Sequence, residues 1–362
     1  MRLRHLAPLT LISAPLLVAA CADETKRPTE ATRFRAEASA TACVGVQVRA
    51  GADLRAVLDS HGPGTRYCIH AGTYDVGADS LLVEDGDTLV GDPVSTAPAP
   101  EGGRGQALTS VPTRVVGHSP IAVLYVQPGA RATLENLDVS GAALPPPDST
   151  YGGIGVWLSG GTLRRSRIHD NKGAGVNKVE AGFLIEDSEV FRNGGVALLG
   201  KSASGVKLTN PLKLPGGGSV RRTYVHDNIG NGIWTDNCAT NDTLRANTVV
   251  RNSQKGIFVE ISAGPIYVVR NVVKSNNTAN LAKTGGIVVV SSRHVRVLNN
   301  TLADNLGTSI LVYKDARAGN SDPRPCKHGF FLRDIVVSAN YLGGGTISGC
   351  SLAGVFCTDN TP

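Results

Sequence analysis

Between residues 154 and 313, apolar and polar side chains alternate in short bursts, and most bursts begin just after a glycine. Ile233, Ile257 and Ile287 follow Gly232, Gly256 and Gly286, and Ile310 follows Ser309; two residues further on stand Thr235, Val259, Val289 and Val312. Alternation at period two marks a strand with one buried face. The bursts belong to a longer phrase: a Ser, Thr or Asn, five residues on an Asn, four further on a Gly followed by Ile or Val. It reads Ser166/Asn171/Gly175-Val176, Thr223/Asn228/Gly232-Ile233, Asn247/Asn252/Gly256-Ile257, Asn271/Asn276/Gly286-Ile287 and Asn300/Asn305/Ser309-Ile310, with a degenerate copy at Ser188/Asn193/Gly195-Val196. The period is 22 to 24 residues, stretched where loops are inserted. A unit this short cannot bury its own apolar face, so the units must stack as coils of a solenoid. Equivalent residues then form columns. The Asn column is expected to bond its equals one coil above and below, and Gly and Asn supply the sharp corners. Lys178 stands at an inward position, against the pattern.

Before the repeats, Ala52 to Ser60 places Leu54, Val57 and Leu58 on one helical face, as a cap over the open first coil requires. Strands are expected around Tyr67–Ile69, Ser80–Val83 and Thr88–Val90. The segment Cys43–Val90, with GADLRAVLDSHGPGTRYCIHAGTYDV, resembles the first coil of right-handed parallel β-helix proteins of the pectate-lyase-like superfamily. With the repeats, the resemblance covers about Val44 to Leu342. It implies an all-β fold, a right-handed parallel β-helix with a short N-terminal capping helix. That fold carries lyases, hydrolases, epimerases and non-enzymatic adhesins alike. Polygalacturonase-like hydrolases carry Asn-Thr-Asp, Asp-Asp, Gly-His-Gly and Arg-Ile-Lys motifs, none of which is here; Trp234-Thr235-Asp236 has Trp where the first needs Asn. The Trp-Ile-Asp-His of pectate lyases is also missing. The resemblance therefore carries no catalytic residues over. GIWTDNC and GIFVEIS, on successive coils, instead look like those of uncharacterised exported β-helix proteins.

Composition adds a location. Arg2 and Arg4 precede an apolar run from Leu6 to Ala19 that is too short to span a membrane and ends in Val18-Ala19-Ala20-Cys21. Residues 1–20 read as a lipoprotein signal peptide, Cys21 as the lipidated new N-terminus, 21–42 as a flexible tether and 43–362 as the folded domain, held at a bacterial cell envelope by lipid alone. Without residues 1–20 the chain has 34 basic and 30 acidic residues, a balance too mild to argue nucleic-acid binding but compatible with a polyanionic polysaccharide. Six cysteines remain beyond Cys21, an even number in an oxidising setting. Cys43 and Cys68 flank the first segment, Cys350 and Cys357 lie close together, and Cys238 is left to pair with Cys326. Nothing in the sequence calls for an oligomer, and a monomer is expected.

The outward positions of the strand after each Gly are where chemistry would sit. The column two after the Gly runs Trp157, Asn177, Ala197, Trp234, Phe258, Val288, Leu311, and the column four after runs Ser159, Val179, Leu199, Asp236, Glu260, Val290, Tyr313. Asp236 and Glu260 fall on neighbouring strands, about 4.8 Å apart. Carboxylates so close are expected to share a proton or a cation such as Ca²⁺. A Ca²⁺ there would serve a lyase by neutralising a uronate, while a protonated and deprotonated pair would serve a retaining hydrolase. Trp234 and Phe258 would stack on sugar faces, with Tyr313 as an accessory acid or base and Lys314 as a partner for a substrate carboxylate. Lengthened turns at Ala142–Tyr151, Asn277–Gly285, Gly200–Gly218 and Lys314–Gly329 border this face as groove walls. His169 and His226, each followed by Asp-Asn, are expected to be surface turn residues on another face. The reading is an envelope-anchored protein that binds or processes a polysaccharide, an acidic one by preference, as a lyase or hydrolase. The alternative is a non-catalytic surface adhesin or scaffold.

Overall fold

The bursts of alternation become three parallel sheets. The structure, a computed structural model, describes residues 43–362 apart from 148, 150, 181, 211–216 and 317–331. Among the described residues the sheets hold twelve, nine and ten strands, here sheets A, B and C, and each coil visits A, then B, then C before returning to A. The result is a right-handed parallel β-helix. Its core is built from columns in register. Sheet A contributes Leu163, Ile185, Val220 and Leu244, sheet B Ile168, Val190, Val225 and Val249, and sheet C Val176, Val206, Ile233 and Ile257, all fully buried. Each such side chain contributes roughly 1.5–3 kcal/mol by leaving water.

The corners explain the rest of the phrase. From sheet B to sheet C runs the expected amide ladder: Asn171 donates to Asn193 at 2.9 Å, Asn193 to Asn228 at 3.1 Å, Asn228 to Asn252 and Asn252 to Asn276 at 2.9 Å, and Asn276 to Asn305 at 3.0 Å. A second ladder joins Asn247, Asn271, Asn300, Asn340 and Asn360 at the A-to-B corner. The Gly of the phrase follows from the first ladder. A Cβ on Gly232 would stand 2.8 Å from the Asn252 amide nitrogen and 2.5 Å from the Gly256 carbonyl oxygen, so a side chain has no room there. Just before each Asn the corner residue takes the left-handed conformation, and over the first four coils of the first ladder it alternates in charge: Asp170, Arg192, Asp227, Arg251. Arg192 pairs with Asp170 at 2.6 Å and Arg251 with Asp227 at 3.0 Å. The A-to-B corner alternates in the opposite sense, Arg165, Asp187, Arg222, with Arg222 on Asp187 at 2.7 Å.

The expected cap is present: the helix Leu54–Asp59 buries Leu54 and Leu58, and the Asp53 side chain accepts from the Ala56 amide at 3.1 Å. Disulfides join Cys43 to Cys68 and Cys350 to Cys357. Cys238 is disulfide-bonded, while Cys326, its expected partner, lies outside the described residues, as do Cys21 and all of residues 1–42.

Two features depart from the sequence reading. The degenerate copy keeps its Asn193 but not its strand: Val196–Leu198 is a short 3-10 helix with Val196 75% exposed, and the strand of that coil is Ser204–Thr209. The insertion therefore lengthens the turn entering sheet C, and Lys207 and Thr209 replace Ala197 and Leu199 in the outward columns. The second is a hairpin, Ser95–Pro98 against Gln106–Ser110, that lies across the outer face of sheet B. Its Glu101 pairs with Arg251, Lys274 donates to the Glu101 carbonyl at 3.1 Å, and Thr248 donates to the Gly102 carbonyl at 2.8 Å. Lys178 does point inward and is fully buried; its ammonium lies over the Phe183 ring at 4.8 Å and donates to the Thr209 carbonyl at 3.4 Å. Burial lowers its pKa, and burial raises that of nearby Asp242 to about 6, each charge partly offsetting the other's desolvation.

Candidate functional site

The register of sheet C brings the sequence-predicted residues together. Lys207, Trp234, Phe258, Val288 and Leu311 form one outward column, and Thr209, Asp236, Glu260, Val290 and Tyr313 the next. Side-chain chemistry differs from the expected carboxylate pair. Asp236 pairs with Lys207 at 3.1 Å, and Lys207 is only 1% exposed, with its ammonium 3.6 Å from the Trp234 ring centroid and 5.1 Å from that of Tyr151. Glu260 accepts instead from the Trp234 indole N–H at 3.0 Å. Lys207 thus supplies the positive charge that a shared cation would have brought. Asp236 faces Lys207 and Glu260 faces Trp234, and among the described residues no group of three or more His, Cys, Asp or Glu side chains is placed to hold a metal.

Trp234 and Phe258 stack on each other at 5.7 Å and are 3% and 5% exposed. They form an apolar cluster with Val288 and Val290, and Leu311 and Tyr313 pack on its edge. Their rings serve as wall and floor rather than as an open platform for a sugar. The reachable groups lie at the rim. Glu260, Tyr313 and Lys255 are partly exposed, and Lys283 and Lys314 are exposed. Lys255 lies over the Phe258 ring at 4.5 Å, and burial lowers its pKa against the opposing pull of Glu260. Lys283 stands 6.0 Å from the Tyr313 ring centroid. Glu260 and Tyr313 are two strands apart with Val290 between, a span of about 10 Å. The rim therefore presents a carboxylate and a phenol among three lysines.

His169 and His226 are not surface turn residues. They lie on strands of sheet B, are 9% exposed, and stack on either face of Phe191 at 4.8 and 5.0 Å. Each ring bridges two carboxylates. His169 bonds Asp138 through Nε2 at 2.9 Å and Asp170 through Nδ1 at 2.6 Å, and His226 bonds Glu189 at 3.2 Å and Asp227 at 2.6 Å. Burial opposes the imidazolium of His169, but its two carboxylates outweigh that and raise its pKa. Asp170 in turn is held down at about 2, chiefly by Arg192.

Sequence reasoning missed Lys207 and Lys255. Lys207 was legible: Gly205-Val206 followed by Leu208 repeats the strand phrase, and a Cβ on Gly205 would meet Asn228 as the phrase requires. Lys255, directly before Gly256, carries no pattern of its own. The wall expected from Lys314–Gly329 falls mostly on residues outside the described ones.

Residues 118–273 match the family described as the right handed beta helix region. Among solved structures, the chain is similar to the pectate lyase Pel9A at 13% identity and TM-score 0.52, covering 86% of this chain and 77% of that one. It is also similar to the A-module of the Azotobacter vinelandii mannuronan C-5 epimerase AlgE6, at 14% identity and TM-score 0.44 over 88% and 96% of the two chains. The periplasmic alginate epimerase AlgG matches at 12% identity and TM-score 0.47 over 87% and 83%. No curated protein sequence matches the chain. The chain has the right-handed parallel β-helix of the pectate-lyase-like fold.

Proposed function

We propose that the chain is an envelope-anchored enzyme that cleaves an acidic polysaccharide by β-elimination along the rim of sheet C. The observation that carries this reading is the set of Lys255, Lys283 and Lys314 around Glu260 and Tyr313, beside a Lys207–Asp236 pair that is already neutralised. Lysines favour a polyanion. Tying Asp236 to Lys207 removes one of the two carboxylates a retaining hydrolase would need, so elimination is the better fit. The fold-level likeness to a pectate lyase points to the same kind of polymer. The lipid anchor at Cys21 is part of this proposal.

In that reaction a base takes the proton on the carbon next to the uronate carboxylate. The electron pair forms a carbon–carbon double bond, the bond to the glycosidic oxygen breaks, and an acid protonates the leaving oxygen. Lys255, whose partly buried amine loses its proton more readily than usual, is the proposed base, with Glu260 holding it in place. Tyr313 is the proposed proton donor, and Lys283 and Lys314 hold substrate carboxylates. The lysines stabilise the negative charge that develops next to the carboxylate.

The test is ultraviolet absorbance of unsaturated uronate product, with the full chain on a panel of polyuronates. Absorbance is expected to rise on at least one polymer and to fall by about a hundredfold or more in Lys255→Met and Glu260→Gln. No absorbance on any polyuronate would reject the elimination; retention of those polymers without turnover would instead favour the adhesin.

A further inference from the structure

Sheet B carries a cleft that the chemistry of sheet C does not use. Its outward column alternates in sign over four successive coils, Arg114, Asp138, Arg167, Glu189. The hairpin covers the far half of this sheet, where Ala99 and Ala107 pack on Tyr224 and Val250, and ends over Glu189, which accepts from the Leu108 amide at 3.0 Å. Short of that lies a cavity of about 530 Å³, lined by Val111 at the foot of the hairpin and by Arg114, Asp138, Arg167, His169 and Arg192. A volume of this size suits a mono- or disaccharide.

Pairing the charges leaves one over. Arg192 holds Asp170 with two hydrogen bonds of 2.8 and 2.6 Å. Arg167 donates to Glu189 at 3.3 Å and also to the Leu108 carbonyl. Asp138 is taken by His169 at 2.9 Å. Arg114 is the remainder. Its Nε lies 4.0 Å from Asp138, too far for a hydrogen bond, and its guanidinium makes none with any described residue while being 52% exposed to the cleft. A planar fork of five N–H donors, steered by one carboxylate but not consumed by it, is suited to a two-oxygen anion.

We propose that this cleft is a second saccharide site, separate from the rim of sheet C, which takes an anionic sugar residue by clasping its oxyanion on Arg114. The choice of a sugar as ligand rests on the acidic-glycan reading of sheet C; the choice of an anion does not. A uronate carboxylate and a sulfate ester offer the same pair of oxygens, and Arg192 and His169, already paired, close the side of the cleft opposite Val111.

The test is calorimetric titration of the full chain, in wild type and in Glu260→Gln so that turnover does not interfere. The probes are trigalacturonate, a sulfated galactotriose and neutral galactotriose. At least one charged probe is expected to bind and the neutral one not to. Arg114→Ala is expected to weaken binding about tenfold or more, the worth of a charge-assisted hydrogen bond, and Arg114→Lys to weaken it less. The two charged probes separate carboxylate from sulfate recognition. Because Arg114 makes no hydrogen bond, Arg114→Ala should keep its melting temperature, which checks that any loss is local. The proposal is overturned if Arg114→Ala binds as wild type does, or if neither charged probe binds wild type. The two readings fail separately: Arg114-dependent binding without unsaturated product removes the lyase and leaves the cleft. Product formation unchanged in Arg114→Ala, with no Arg114-dependent binding, does the reverse.

Discussion

Sheets B and C are turned out by the same coils, yet their outer faces are opposites. The face of sheet C closes over packed apolar rings, with a single Lys207–Asp236 pair set into them. That of sheet B stays polar, its charges paired from coil to coil and its rings stacked in a file of His169, Phe191 and His226. The difference lies in the turns. Strands of sheet B are three or four residues long and most are entered from sheet A by tight left-handed corners, so the inserted turns lie on their sheet C side alone, and among the described residues their outer face is covered by the hairpin from residues 95–110. Sheet C is bordered by turns that tolerate insertion, and Tyr151, from one of them, packs against Lys207. Where a solenoid can lengthen its loops decides which face is walled and which stays open.

The contrast can be broken first at Lys207. Lys207→Met leaves Asp236 buried without its cation and is expected to cost about 3–5 kcal/mol in urea unfolding; a loss below about 1 kcal/mol would mean that Asp236 is not held as described. On sheet B, pH is the sharper tool. The folded pKa of His169 is raised above 6.5, so its stabilising effect is complete below that value and is lost as pH rises through the folded pKa. The urea midpoint of wild type should therefore exceed that of His169→Gln by more at pH 6 than at pH 9, and a constant gap would rule out the imidazolium. The smallest effect belongs to the exposed corner. Arg192→Gln removes a pair whose side chains are 56% and 47% exposed and should cost no more than about 1 kcal/mol, as thermal melts would show.

The coil, its Asn ladder and its capping helix were legible because a stacked repeat writes each contact many times. Asn171, Asn193 and Asn228 announce one another at fixed offsets from the strands. What was not legible depends on single events. An insertion after Asn193 moved the strand phrase to Gly205-Val206, and with the wrong register Asp236 faced Leu199 rather than Thr209, so its true partner in the next column, Lys207, went unseen. The hairpin has no period at all: its partners Thr248 and Arg251 lie some 150 residues along the chain, and nothing in residues 95–110 names them. Burial of His169 was misread for the same reason, since the acids that hold it come from its own corner and from the coil before.

The alternating corners also govern how this chain can change length. Excising the coil that carries Asp187 and Arg192 would set Asp170 against Asp227 at one edge and Arg165 against Arg222 at the other, like facing like on both. Excising that coil together with the next would set Asp170 against Arg251 and restore the alternation between sheets B and C, while Arg165 would face the uncharged Ala246. Across these four coils the edge between sheets B and C therefore has a parity: removing one turn sets like charge on like, and removing two sets unlike on unlike.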